Sequence, residues 1–174
     1  MNKRKPHQPK FVVKPDLRDS FQAAVRAHEF WVVSLVYERL ATGRKIQVLT
    51  IVDAFSRSLL ALEPRFTFRG TDVVKRLEAV CKQVWLPPTI VIDQHSEFVL
   101  PSRELDRWAG EHDVMLRYTS WINPSIKGNI EAFIGRFRPK CLNALQFMNL
   151  ADAKKTMEVG ENPTTNIAGR NDWR

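Results

Sequence analysis

Apolar and polar positions divide this chain into an unpatterned start and an ordered body. Up to about residue 27, prolines and lysines interrupt every run and no period lasts, so residues 1–27 read as a basic, flexible arm. DSFQAAVRAHEF within and just after it can form a short helix, with Asp19 or Ser20 as its cap. From Phe30 the pattern changes. FWVVSLVYERL is β-branched and apolar and reads as a strand, Ala41-Thr42-Gly43 as a turn, and KIQVLTIVDAF as a second strand. RSLLALEPRF follows a tight turn near Ser56 as a third. Links this short require antiparallel neighbours, because parallel pairing needs a long crossover.

The period then lengthens. In GTDVVKRLEAVCKQVW the residues Val73, Val74, Leu77, Val80, Cys81 and Val84 share one helical face, Thr71 or Asp72 can cap it, and Pro87-Pro88 stops it. TIVID is an unbroken apolar run, as in a strand buried on both faces. SRELDRWAGEHD reads as a helix capped by Ser102, and VMLRYTS as a strand. A last helix is expected from about Pro124 to Leu142, with Ile130, Phe133 or Ile134, Phe137 and Cys141 as its stripe. The order β-β-β-α-β-α-β-α predicts an α/β fold: a mixed five-stranded sheet, three antiparallel strands and then alternating elements, with helices on its faces.

Composition narrows the class. A chain of 174 residues, 44% apolar, can bury one real core. No apolar stretch approaches the ~20 residues that span a bilayer. MNKRKPHQPK leads into no apolar segment, so it does not read as a secretory signal. Cys81 and Cys141 are too far apart for a metal-ligand pair and read as core or near-core thiols of a reducing compartment. A soluble, cytoplasmic protein with no membrane partner is expected.

The net charge of +8 is uneven. Residues 1–27 hold seven Lys or Arg against Asp16 and Asp19, a local balance of +5. A second basic cluster, Lys127, Arg136, Arg138 and Lys140, surrounds Glu131. Cations beside a catalytic acid are where a phosphate backbone would lie. Asp93 ends the TIVID strand, where open α/β sheets build their sites. On its own Asp93 reads equally as a turn residue or helix cap, and Glu131 as a surface partner of Lys127.

Several segments together change that balance. EFW, ERLATGRKIQVLTIVDAFSRSLLALE, TIVIDQHSEF, ELDRWAGEHDVMLRY, NPSIKGNIEAFIGRFRPKCLN and FMNLADAKK occur in one order, with Trp31 to Asn143 spanning about two-thirds of the chain. This series resembles the integrase-like catalytic core of bacterial insertion-sequence transposases, relatives of retroviral integrases with a ribonuclease H-like fold. The resemblance implies DNA as partner, homo-oligomers on DNA ends, and an Asp, Asp, Glu triad holding two Mg²⁺ (or Mn²⁺) ions. Hard cations of this kind take oxygen ligands, and two of them can stabilise both the attacking and the leaving oxygen of a phosphodiester. By the resemblance the second acid falls on Asp93 and the third on Glu131, 38 positions later.

The first acid does not match. Aligned through Trp31 and ERLATGR, its position falls on Ser34, a neutral hydroxyl and a poor Mg²⁺ ligand. Glu38 is no replacement, because four residues along a strand is ~13 Å. Asp53 has its own counterpart, not a metal ligand, and is expected to order the turn before Ser56. Gln94-His95 stands where Asn-Gly is usual, and Lys127 and Ile134 replace residues that are usually Asn. The tail GENPTTNIAGRNDWR departs too. The codons for Gly160 to Ile167 with one added T permit Trp-Arg-Lys-Pro-Tyr-Asn-Gln-His, close to the family's ending, so a single-nucleotide deletion is expected after Val159. Residues 28–150 therefore read as an integrase-like core and 151–174 as a divergent, frameshifted tail. The expected function is a transposase core for DNA cleavage and strand transfer, with metal binding weakened and catalysis impaired. The alternative is an inactive remnant that binds DNA without sequence preference, associated with the bacterial nucleoid.

Overall fold

A long hairpin starts the sheet. Strands β1 (Phe30–Arg39) and β2 (Lys45–Asp53) run antiparallel, from Arg39 opposite Lys45 to Trp31 opposite Asp53. Gly43 closes their turn at φ 83°, a left-handed conformation that glycine adopts without a Cβ clash. Its N–H donates to the Leu40 carbonyl at 2.8 Å, and the Leu40 N–H donates to the Arg44 carbonyl at 2.9 Å. Strand β3 (Leu59–Arg65) adds antiparallel to β2, with a register shift between Ile51 and Val52. Helix α1 (Gly70–Cys81) then carries the chain to β4 (Thr89–Ile92), and α2 (Arg103–Glu111) carries it to β5 (Met115–Tyr118). β4 pairs parallel with β1 and β5 parallel with β4, giving the order β3-β2-β1-β4-β5. The computed structural model describes residues 26–93, 102–118, 132 and 147–161.

Alternation along the central strands sorts side chains to two faces. Trp31, Val33 and Leu35 of β1, Leu49 and Ile51 of β2, and Ile90 and Ile92 of β4 meet Val73, Leu77 and Val80 of α1 and Leu105 and Trp108 of α2. Each such side chain removed from water contributes roughly 1.5–3 kcal/mol, which makes this face the principal source of cohesion. The other face joins Val36, Ile46, Val48 and Leu62 to Phe147, Ala153 and Met157. Those last two belong to α3 (Leu150–Glu161), which packs against β3.

Local chemistry sets the helix starts. The Ser102 hydroxyl accepts from the Leu105 N–H at 3.1 Å, the expected cap. α1 begins differently from expectation. Its cap is Arg69, and Asp72, in the third helical position, reaches back to accept from the Arg69 N–H at 2.8 Å. A Cβ at Gly70 would lie 2.2 Å from the Ser102 hydroxyl oxygen, so glycine lets the starts of α1 and α2 touch. α1 also ends at Cys81, before Pro87-Pro88 can act as its stop. Arg26–Glu29 form turns and bends where the end of a short helix was expected.

α3 was not anticipated from the sequence, and it runs across position 151. Its signal is present nonetheless. The Asn149 side chain accepts from the Asp152 N–H at 2.9 Å, while Asp152 accepts from the Met148 N–H at 2.9 Å. Leu150, Ala153 and Met157 recur at helical spacing behind this cap. The helix expected from Pro124 to Leu142 lies outside the described residues, apart from Ala132, which is helical.

Candidate active site

Ser34 and Asp93 are brought together by the β1–β4 seam. The two strands pair from Phe30 opposite Thr89 to Val33 opposite Ile92, and the Asp93 N–H then donates to the Val33 carbonyl at 2.9 Å. That bond extends the parallel ladder one step and sets Asp93 beside Ser34, on strands ~4.8 Å apart. Val33 and Ile92 point into the core under α1 and α2, so Ser34 and Asp93, one step along, occupy the opposite face. Both are buried, at 2% and 6% exposure. Val32, Val52 and Val91 line the same face and are buried as well.

The hydroxyl of Ser34 is already engaged. Thr50 lies directly opposite it in β2, with the two side-chain oxygens 3.1 Å apart. The Thr50 hydroxyl also donates to the Ser34 carbonyl at 3.3 Å. Since Thr50 has one hydroxyl proton, both contacts are satisfied when Ser34 donates to Thr50 and Thr50 donates to the Ser34 carbonyl. Ser34 then offers only neutral lone pairs. Thr50 was not singled out from the sequence, although counting back from the Gly43 turn pairs it with Ser34.

A cation shares this face. Arg117 of β5 stands opposite Val91, and burial lowers its pKa from the ordinary guanidinium value. On the reverse face Tyr118, opposite Ile92, directs its hydroxyl to Asp106 of α2 at 3.5 Å. Burial, and then the Asp106 charge and hydrogen bond, push the Tyr118 phenol well above its usual 10. Asp106 is raised by burial, against the opposing hydrogen bond from Tyr118. The pair ties β5 to α2 one residue before the position beside Asp93.

Asp53, fully buried at the end of β2, works differently. Its Oδ1 accepts from the N–H groups of Phe55 at 2.9 Å and Ser56 at 2.8 Å, as expected for a residue ordering that turn. Its Oδ2 accepts from the His28 N–H and lies 3.3 Å from His28 Nδ1. His28 is held at φ 60° and also accepts from Trp31 Nε1 at 3.3 Å. Asp53 is thus a clasp between the entry to β1 and the β2–β3 turn, remote from Ser34 and Asp93 along the strands.

Ser34 and Asp93 supply one carboxylate and one neutral hydroxyl committed to Thr50. Among the described residues no group of three or more His, Cys, Asp or Glu is placed to hold a metal ion. Glu38 sits at the far end of β1, opposite Ile46, and does not reach. Glu131, Lys127, Arg136, Arg138 and Lys140 lie outside the described residues, as do Gln94, His95 and Cys141.

Comparison with known proteins agrees with this sheet. The family model described as Integrase core domain matches residues 24–124. An uncharacterized 31.7 kDa protein of insertion element IS407 from Burkholderia multivorans (strain ATCC 17616 / 249) is 32% identical over 127 residues, covering 73% of this chain and 45% of the relative. An uncharacterized 39.2 kDa protein of insertion element IS476 from Xanthomonas euvesicatoria is 29% identical over 137 residues, 79% of this chain and 39% of the relative. This chain therefore spans less than half the length of either. Among solved structures, the simian T-cell lymphotropic virus intasome with PP2A regulatory subunit B56 gamma superposes with a TM-score of 0.60 at 13% identity, covering 82% of this chain and 51% of the other. The HTLV-2 integrase catalytic core domain in complex with magnesium, in its dimeric form, gives 0.51 at 14% identity, with 80% and 88% covered. At such identities the likeness concerns the fold, a ribonuclease H-like sheet. Among the described residues, no helix is long and apolar enough to cross a membrane.

Proposed function

The chain belongs to the integrase core domain family, and on that premise we propose that it is the catalytic core of an insertion-element transposase whose strand-cutting centre is impaired. The observation that carries this reading is the seam: Asp93 stands beside a buried Ser34 whose hydroxyl is bound to Thr50. A hydroxyl so placed neither carries the negative charge that a hard cation prefers nor turns freely toward one. Glu131 is the remaining acid of the reading. Magnesium, present with one of the structural neighbours, is on this account bound weakly here.

DNA is the partner that the reading supplies, with Lys127, Arg136, Arg138 and Lys140 as phosphate contacts and self-association on DNA ends. Contacts of this kind are salt-sensitive and tolerant of sequence. What remains to an impaired core is DNA binding without chemistry, in the bacterial cytoplasm and on the nucleoid. The buried core of the sheet is intact while the change falls at the seam, which favours loss of activity over loss of fold.

The test is strand nicking and joining on a supercoiled plasmid with Mg²⁺ or Mn²⁺. The expected outcome is no product above background from the protein as it stands. Metal-dependent cleavage that disappears in Asp93→Asn would show a working centre and end this proposal.

A further inference from the structure

The turn end of the β1–β2 hairpin carries three closely spaced cations. Arg39 and Lys45 are exposed and lie directly opposite one another across the two strands, with exposed Arg44 beside them. Like charges in facing cross-strand positions destabilise a sheet. No carboxylate offsets them among the described residues. Glu38, the adjacent acid in sequence, points to the other face of β1, opposite Ile46. The contrast with Arg65 on β3 is direct, since that guanidinium is held by Glu63 at 2.6 Å and Asp72 at 2.8 Å.

The cations are also held in place. Arg39 Nη1 donates to the Gly43 carbonyl at 3.1 Å, which leaves its other N–H groups facing outward. The Arg44 guanidinium lies 3.6 Å over the ring of Phe66, an orientation favoured by the ring's negative face. Two of the three side chains are thus partly ordered before any ligand arrives, which reduces the entropy lost on binding.

β1 runs parallel to β4, so the turn lies toward the end of the sheet at which Asp93 closes β4, with Arg39 and Lys45, out of phase with Ser34, on the opposite face. From Ser34 to Arg39 is five residues of strand, about 16 Å.

We propose that Arg39, Arg44 and Lys45 form a phosphate-binding platform for the backbone of a DNA duplex at the turn end of the sheet. The inference rests on the reading of this core as DNA-binding and adds a contact region to it. It provides backbone attachment, not sequence readout.

The experiment measures affinity for an arbitrary fluorescent duplex across a salt series. Four proteins are compared: the whole chain, Arg39→Gln/Arg44→Gln/Lys45→Gln, a charge-matched control Lys75→Gln/Lys82→Gln/Arg103→Gln on exposed positions of the α1 and α2 side, and Arg39→Lys/Arg44→Lys. Each phosphate contact contributes about 0.9 to the slope of log affinity against log salt. The platform variant should therefore lose about 2 to 3 from the slope and bind at least roughly tenfold more weakly at moderate salt. The control should lose less than 1 from the slope, and the lysine variant should stay close to the parent. Thermal melting of all four separates lost contacts from lost fold. Equal losses in the platform variant and the control would overturn the platform alone. Absence of duplex binding by the unmodified chain even at low salt would remove the DNA-binding reading and the platform with it.

Discussion

Two aspartates close two strands of this sheet, and different contacts hold them. Asp53, at the end of β2, is fully buried, and its oxygens are taken by the N–H groups of Phe55, Ser56 and His28. Asp93, at the end of β4, is fixed through its backbone N–H to Val33, and its neighbour in register is the hydroxyl of Ser34. Burial alone does not distinguish a structural carboxylate from a chemical one. The contacts differ: backbone N–H groups reach both oxygens of Asp53, whereas the strand register sets Asp93 beside Ser34. Asp53 thus serves the fold, and Asp93 is the acid of the proposed centre.

The sharpest way to break the comparison is to neutralise each in turn. Asp53→Asn retains an acceptor for the turn but presents an amide donor to the His28 N–H, and should cost about 3 kcal/mol in chemical unfolding. Asp93→Asn leaves its backbone bond to Val33 intact and, on the proposed reading, should cost less than Asp53→Asn. Equal costs would make Asp93 a second structural clasp and remove the contrast.

Next in size is Ser34→Asp. It removes the hydroxyl bond to Thr50 and sets two carboxylates side by side in a buried seam, where like charges repel. Without divalent ions the variant should be less stable by about 2 kcal/mol. The smallest effect concerns pH. Because the folded pKa of Tyr118 lies above its unfolded value near 10, the protonated phenol contributes its stability fully below that pH and loses it as pH rises beyond. Tyr118→Phe should flatten the alkaline decline above pH ~10, by about 1 kcal/mol or less, and leave the neutral range little changed. An unaltered alkaline limb in urea melts would show that the phenol is not buried against Asp106.

Much of the sheet is legible in the chain because its determinants are local. A short Gly43 turn forces the hairpin, an unbroken TIVI marks the buried strand, and Ser102 announces α2 three residues before the N–H it caps. The turn function of Asp53 is legible for the same reason, since Phe55 and Ser56 follow directly. The partners that come from afar are not. His28 meets Asp53 across 25 positions, and Thr50 meets Ser34 only once the register is known. α3 was overlooked because its apolar stripe is sparse, resting on Leu150, Ala153 and Met157, although the Asn149 and Asp152 cap precedes it. The reading of Ser34 as the place of a missing acid comes only from the family pattern, and the seam sets Asp93 next to it.

The measurement that bears most directly on the proposed loss of metal binding is a melting curve of the unmodified protein and Ser34→Asp against Mg²⁺ and Mn²⁺ concentration. A ligand at about a hundred times its Kd adds ~2.7 kcal/mol to the state that binds it, or roughly 5 °C or more for a chain of this size. The account predicts a flat response from the unmodified protein and a saturable rise of at least about 5 °C from Ser34→Asp. A saturable rise of similar size in the unmodified protein, lost in Asp93→Asn, would contradict it.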